Sequence, residues 1–203
     1  MPELVLPFLY MVQQESASES HFTLADAYAH FSRFVWLFIP NHLHQRSKRT
    51  LAYQQEQVLP YISCTLHLTD LLLAYADREV HCHLRRKKVL IESYAASWAT
   101  TMFSRAVDFA LLFELWEVFL FERDRYLIFY FSVALIKSLR EKVLATQSVG
   151  KLFGLMSASP FLKTHAELAE VYRLAIEIRQ RTPVSFQILC DQLGVVKHCS
   201  SAS

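Results

Sequence analysis

The stretch Asp108–Thr146, DFALLFELWEVFLFERDRYLIFYFSVALIKSLREKVLAT, decides how the chain is read. Between Phe109 and Phe121 almost every residue is apolar, and only Glu114 and Glu117 interrupt. A charged turn follows, Glu122-Arg123-Asp124-Arg125, and then a second apolar run from Tyr126 to Ile136 that fades into the polar Lys137–Lys142. Asp108 and Asp124 stand where a carboxylate accepts the unpaired N–H groups of a helix start. The pattern predicts a helical hairpin with one partner apolar nearly all round, and such a helix belongs in the buried centre of a helical domain. A membrane hairpin is the weaker reading: the second run covers only residues 126–136, whereas a spanning helix needs about 20 apolar residues. The charged turn would also be exposed to lipid.

Outward from this stretch, composition agrees with a packed helical protein. Of 203 residues, 53% are hydrophobic and 20% charged, enough for a substantial core and against disorder. The only three glycines, Gly150, Gly154 and Gly194, leave few turns that rest on glycine and argue for long helices over β-hairpins. No fixed-period repeat is present, and no period-2 alternation is long enough for a sheet. The formal net charge of +2 suggests neither nucleic acid as a partner nor a general membrane-surface role. Cys64, Cys82, Cys190 and Cys199 show no pairing pattern and read as reduced, intracellular thiols, with Cys199 in a polar tail. The apolar start, Met1–Val12, has no basic residue ahead of it and is interrupted by Pro7. It reads as a domain core entered abruptly rather than a signal peptide, with the natural domain expected to begin upstream.

Along the chain, Gln13–Ser20 reads as a polar loop. A helix is predicted over Thr23–Phe38, capped by Thr23, with Leu24, Tyr28, Phe31, Phe34, Val35 and Phe38 along its inner side. Pro40-Asn41 ends it and His42–Lys48 is a basic connection. A long helical region over Thr50–Tyr75 should kink at Pro60, with Leu59, Ile62, Leu66, Leu72 and Leu73 inward. Ala76-Asp77 opens an irregular piece, and His81–Lys88 reads as a basic loop. Glu92–Phe103 is predicted as a helix with Trp98 and Phe103 inward. Beyond the hairpin, Val149–Met156 is a short helix and Ser157–Pro160 a connector. Thr164 and Glu167 have capping-box spacing for a helix that carries Leu168, Val171, Tyr172, Ala175 and Ile178 and ends near Gln180. Thr182-Pro183 starts a last helix, which Gly194 stops. About nine helices are expected.

Few residues suggest chemistry. His81-Cys82-His83, with Cys64 and His67 before them, lack the two spaced ligand pairs that let side chains converge on a tetrahedral metal, so no metal is assigned. No Ser–His–Asp, Cys–His or Gly-rich phosphate loop is recognisable, so no catalytic residue and no cofactor are assigned. Arg85-Arg86-Lys87-Lys88 is the candidate contact for an acidic partner or anionic lipid headgroups, against the plainer reading of a solvated loop. Trp36, Trp98 and Trp116 read as core.

Five blocks together resemble the TBC domain of Rab GTPase-activating proteins. Met1-Pro2-Glu3-Leu4-Val5-Leu6-Pro7-Phe8 is similar to the segment after that family's Tyr-x-Gln-Gly signature, and Phe38-Ile39-Pro40-Asn41 to the loop after its aromatic helix. Ala76–Leu84 resembles its D-P-E-L-x-x-H-L turn, Ser93–Trp98 with Met102–Arg105 its tryptophan helix, and Leu115–Leu120 its W-D-x-x-L helix. The resemblance implies an all-α fold, with residues 1–146 as the later two-thirds of the domain and its N-terminal third missing. Residues 147–195 are then a helical extension completing the domain, and 196–203 a disordered tail. The segment after Thr146, with Arg181–Phe186, resembles a catalytically inactive branch in which TBC precedes a rhodanese-like domain and serves as an adaptor for endosome-to-Golgi tethering. The resemblance thus implies a cytoplasmic chain, peripheral at Golgi or endosomal membranes through its partners and without a transmembrane segment. Its partner would be a Rab-type small GTPase or a vesicle tether.

Active relatives use an arginine from I-x-x-D-x-x-R to offset charge on the phosphates and a glutamine from Y-x-Q to orient water. Both would lie upstream of Met1. Tyr53-Gln54-Gln55 spells Y-x-Q in the wrong company and reads as a solvated helix face. The resemblance therefore implies a binding scaffold. Two alternatives stay open: a piece of an active GTPase activator with its fingers upstream, and a generic helical interaction protein.

Overall fold

The computed structural model describes residues 2–15, 23–38, 61–122, 124–157 and 160–195. Among these there are eleven α-helices, one 3-10 turn and no strand, apart from a single parallel bridge between Val107 and Leu162. The chain divides into two compact units, 1–55 and 56–203.

The first unit contains α1 (Pro2–Glu15) and α2 (Leu24–Phe38), packed on one another. Phe8 meets Phe31 edge-on at 5.7 Å between ring centres and Phe34 at 5.8 Å. Aromatic pairs favour such offset and edge-to-face geometry. Thr23 caps α2 reciprocally with Asp26: the Thr23 N–H donates to the carboxylate at 2.9 Å, and the Asp26 N–H donates to Oγ1 at 3.3 Å. The buried arc runs through Ala27, Phe34 and Val35, whereas Leu24 and Tyr28 are exposed. The apolar stripe of α2 is wider than its buried part, and those two lie on the margin. Part of the polar loop predicted at Gln13–Ser20 belongs to α1, which runs to Glu15 and includes Pro7.

The second unit is built around α7 (Leu127–Ser138), in which ten consecutive residues from Leu127 to Ile136 are buried. Its principal neighbours are α3 (Tyr61–Ala76) and α10 (His165–Arg181). The hairpin partner α6 (Phe109–Glu122) meets it through rings instead, with Phe119 against Phe131 at 6.0 Å. Phe131 also stacks edge-on against Phe103 at 4.9 Å, and Phe129 against Phe186 of α11 (Val184–Gln192) at 5.7 Å. A helix apolar on nearly every side requires cover all round, and most of that cover comes from elements distant in sequence.

The charged turn between α6 and α7 is held from α10. Arg179 donates to Glu122 at 2.8 Å and bonds Asp124 at 3.1 Å, and the Tyr172 hydroxyl donates to Glu122 at 2.7 Å. Asp108 and Asp124 each accept the N–H two residues on, from Ala110 at 3.1 Å and Tyr126 at 2.9 Å. Asp108 thereby opens α6 as expected, whereas Asp124 shapes the turn and α7 is capped at Tyr126 without a side-chain bond.

Four expectations are corrected. Residues from Asp77 to Lys88 are not an irregular loop: Asp77 caps α4 (Arg78–Arg86) by accepting the Val80 N–H. Val80, His83 and Leu84 supply a buried face at helical spacing beneath the basic residues. The predicted Glu92–Phe103 helix is a 3-10 turn at Ile91–Ser93 followed by α5 (Ala96–Thr101). It stops because Met102 and Phe103 turn left-handed, φ 46° and 64°, which places both side chains fully inside. Thr182 closes α10, its hydroxyl donating to the Ile178 carbonyl, and Pro183 rather than Thr182 precedes α11. The helix number exceeds nine because α1, α4 and α8 (Arg140–Ala145), separated from α7 by Leu139, are helices of their own. By contrast, the capping box at Thr164–Glu167, α9 (Val149–Ser157) and the stop at Gly194 (φ 64°) stand as read. The Thr50–Pro60 segment with its kink, Pro40-Asn41, His42–Lys48, Tyr53-Gln54-Gln55 and the 196–203 tail with Cys199 lie outside the described residues.

Candidate interaction surface

The basic cluster sits at the carboxyl end of α4, where the helix dipole favours cations. Its four side chains differ in company. Arg85 donates to Asp70 of α3, and the same carboxylate oxygen lies 3.3 Å from His81 Nε2. Its neighbour Asp70 pushes the guanidinium's proton affinity up, so Arg85 stays charged and engaged. Arg86 uses its Nε–H on the Cys82 carbonyl of its own helix, at 3.2 Å. Lys87 is half-buried and Lys88 exposed. Lys88 takes a left-handed φ of 58° as its N–H bonds the Arg85 carbonyl and the Val89 N–H bonds Leu84, which fixes the turn. The cluster is thus a helix end and turn rather than a loop, and one of its four charges is already neutralised within the fold.

The histidines and cysteines nearby are dispersed. His83 Nε2 contacts the Thr146 carbonyl at 3.1 Å and His67 Nδ1 the Ser63 carbonyl at 2.6 Å, each imidazole serving a different backbone group. Among the described residues no group of three or more His, Cys, Asp or Glu is placed to hold a metal ion. Cys64, Cys82 and Cys190 are free thiols, and burial pushes Cys190 up to about 12.

One feature was not foreseen from the sequence. A cleft of about 520 Å³ lies between α3 and α11, lined by Leu71, Tyr75, Pro183, Phe186, Ile188 and Gln192 among others. The Tyr75 hydroxyl donates to the Arg181 carbonyl at 2.8 Å across one side. Leu71, Tyr75 and Ile188 remain more than 40% exposed. Leu71 and Tyr75 at i, i+4, and Phe186 and Leu189 at i, i+3, carried a local signal of an apolar face; that the two faces oppose one another depends on a long-range packing. The lining has no charged side chain; its polar groups are the hydroxyls of Tyr75, Thr182 and Ser185 and the amide of Gln192, among mostly apolar residues.

Most arginines in the described residues serve the fold. Arg140 bonds Asp77 at 2.9 Å and also pairs with Glu79; Arg173 holds Glu170 and Glu177; Arg181 holds Glu177; Arg125 lies 4.0 Å from Asp191 and over the Tyr126 ring. With Arg85 and Arg179, six guanidinium groups are held by carboxylates of the chain itself. No described helix is long and apolar enough to cross a membrane.

Against known families, residues 1–144 match the model of the Rab-GTPase-TBC domain (RabGAP-TBC). The matched span includes α1 to α7 and nearly all of α8, and with them the basic cluster and the α3 wall of the cleft; α11, its other wall, follows the matched span.

Proposed function

Because the chain belongs to the Rab-GTPase-TBC domain family, we propose that it acts in vesicle trafficking as a non-catalytic scaffold for a Rab-type small GTPase or a vesicle tether. The observation that carries the scaffold reading is how its arginines are used. An arginine finger has to leave its own protein and reach a phosphate in another, and is worth about 10³–10⁵ in rate when it does. Arg85, Arg125, Arg140, Arg173, Arg179 and Arg181 are tied to carboxylates of this chain. Among the other described arginines, Arg33, Arg78, Arg86 and Arg105 are exposed, and none of them stands in an I-x-x-D-x-x-R motif. What the chain offers is surface: a basic helix end and an uncharged cleft.

In the same proposal, residues 147–195 complete the domain of residues 1–146. Support comes from α10, which packs on α7 and grips the α6–α7 turn, and from α11, whose Phe186 covers Phe129 and Tyr130. The site of action is the cytoplasmic face of Golgi or endosomal membranes, in the manner of the inactive TBC–rhodanese branch that the segment after Thr146 resembles.

Single-turnover GTP hydrolysis tests the reading, with a panel of GTP-loaded Rabs, an excess of this chain and an active TBC protein beside it. The expected result is no stimulation, together with capture of at least one GTP-loaded Rab in a pull-down. Stimulation above about tenfold that disappears on changing any one arginine of the chain, Arg33, Arg78, Arg86 and Arg105 first, establishes an activator instead. Failure of every Rab to bind leaves a helical interaction protein without a GTPase partner.

A further inference from the structure

We propose that the end of α4 and the turn after it form a docking point for an anionic lipid surface, with Arg86, Lys87 and Lys88 meeting the headgroups and Leu90 entering the interface. The backbone of the turn is set by three hydrogen bonds, from the N–H groups of Lys87, Lys88 and Val89 to the carbonyls of His83, Arg85 and Leu84. From Lys88 to Glu92 the chain then alternates. Val89 and Ile91 are buried, while Lys88, Leu90 and Glu92 face out. Leu90, 45% exposed, is therefore presented beside the lysines by two buried neighbours that anchor it.

The local charges favour an anion. Among the described residues, Asp70 takes Arg85 and His81, and the exposed Glu92 lies 4.0 Å from His67 and in the field of Arg85. Arg86, Lys87 and Lys88 have no ion-pair partner among the described residues. Lipid fits better than an acidic protein segment for two reasons. The guanidinium best placed for a two-pronged grip on a carboxylate, that of Arg85, is already spent on Asp70. Of the groups that remain, Arg86 has its Nε–H on the Cys82 carbonyl, which occupies one edge of its fork, and the lysines are flexible point charges suited to a diffuse field. A leucine held outward among cations has no role against a hydrated acidic chain, but adds apolar contact at a bilayer surface. Each Lys or Arg near such a surface strengthens binding by roughly fivefold, so the three together contribute on the order of a hundredfold.

The test is cosedimentation of the full chain with phosphatidylcholine vesicles, with and without phosphatidylserine. No GTPase is present, so the outcome is independent of the scaffold reading. Binding is expected only to the phosphatidylserine vesicles, and should be lost near 1 M salt, where screening acts within about 3 Å. The triple variant R86Q/K87Q/K88Q should bind on the order of a hundredfold more weakly, and Leu90→Ser several-fold more weakly. Should the triple variant not fold, Lys88→Gln alone, at an exposed position, should still cost roughly fivefold. The proposal is overturned if these substitutions leave phosphatidylserine binding unchanged. It is also overturned if polyglutamate, but no vesicle, binds in a manner sensitive to them, which assigns the cluster to acidic protein. Competition by soluble glycerophosphoserine as effective as that by vesicles would replace the surface with a free-phosphate site.

Discussion

Substituting Trp116 tests the packing of the second unit most directly. The indole is 4% exposed, on the α6 face that also buries Leu112, Leu115 and Phe119. Its N–H donates to the Met102 carbonyl at 2.9 Å, at the point where the backbone turns left-handed. Trp116→Ala removes the ring and leaves a cavity, a change that costs about 3–5 kcal/mol in buried sites. Trp116→Phe keeps most of the ring but deprives the Met102 carbonyl of its donor, worth about 1–3 kcal/mol when a buried acceptor is left short. In a chain of this length each kcal/mol shifts the melting temperature by about 2–4 °C. The alanine variant should therefore melt about 6–20 °C lower and the phenylalanine variant about 2–12 °C lower, in that order. Urea unfolding followed by far-UV circular dichroism, with the slope checked for constancy, gives the free energies. An alanine variant within about 2 °C of the parent would refute the reasoning, because it would mean that the indole is not enclosed.

Three further outcomes are expected. The Glu122 carboxyl is held below its ordinary 4.5 by the Tyr172 hydroxyl and then by Arg179. Its contribution to stability is therefore fully present above that value and lost as pH falls through it toward the folded-state pKa; Glu122→Gln should lower the urea midpoint near neutrality, and the gap from the parent should close on acidification. Cys190, buried and pushed up to about 12, should resist iodoacetamide in the native protein at pH ~8 and react in denaturant, as peptide mass spectrometry would show; rapid native alkylation would mean that α11 is not seated. Asp77→Ala removes the α4 cap and one partner of Arg140, and should cost about 1–2 kcal/mol by urea titration; no loss would show that α4 does not depend on that cap.

Local chemistry was legible wherever the decision is made within a turn or two of helix. The capping box at Thr164 and Glu167, the carboxylate of Asp108 at the start of α6, the stop at Gly194 and the largely apolar runs of the hairpin need no distant partner to be recognised. Two errors came from reading charge as exposure: α4 carries its basic residues around a buried face of Val80, His83 and Leu84, and Arg85 is engaged with Asp70. A third came from extending a helix through Met102 and Phe103, where burial of both side chains outweighs the strain of a left-handed backbone.

The sequence by itself determined that the chain is all-α, that one partner of the hairpin over residues 109–136 is a buried centre, and that the order of its motifs is that of a TBC domain. These follow from periodicity, capping and motif order, all of which are local along the chain. Only the tertiary structure decided that α10 and α3, rather than the adjacent α6, are the closest cover of α7, that Arg179 reaches back to Glu122 and Asp124, and that α3 and α11 leave an uncharged cleft between them. An apolar stripe states that a surface must be covered, but the hydrophobic effect has no direction, so which helix covers it is settled by packing the whole chain at once.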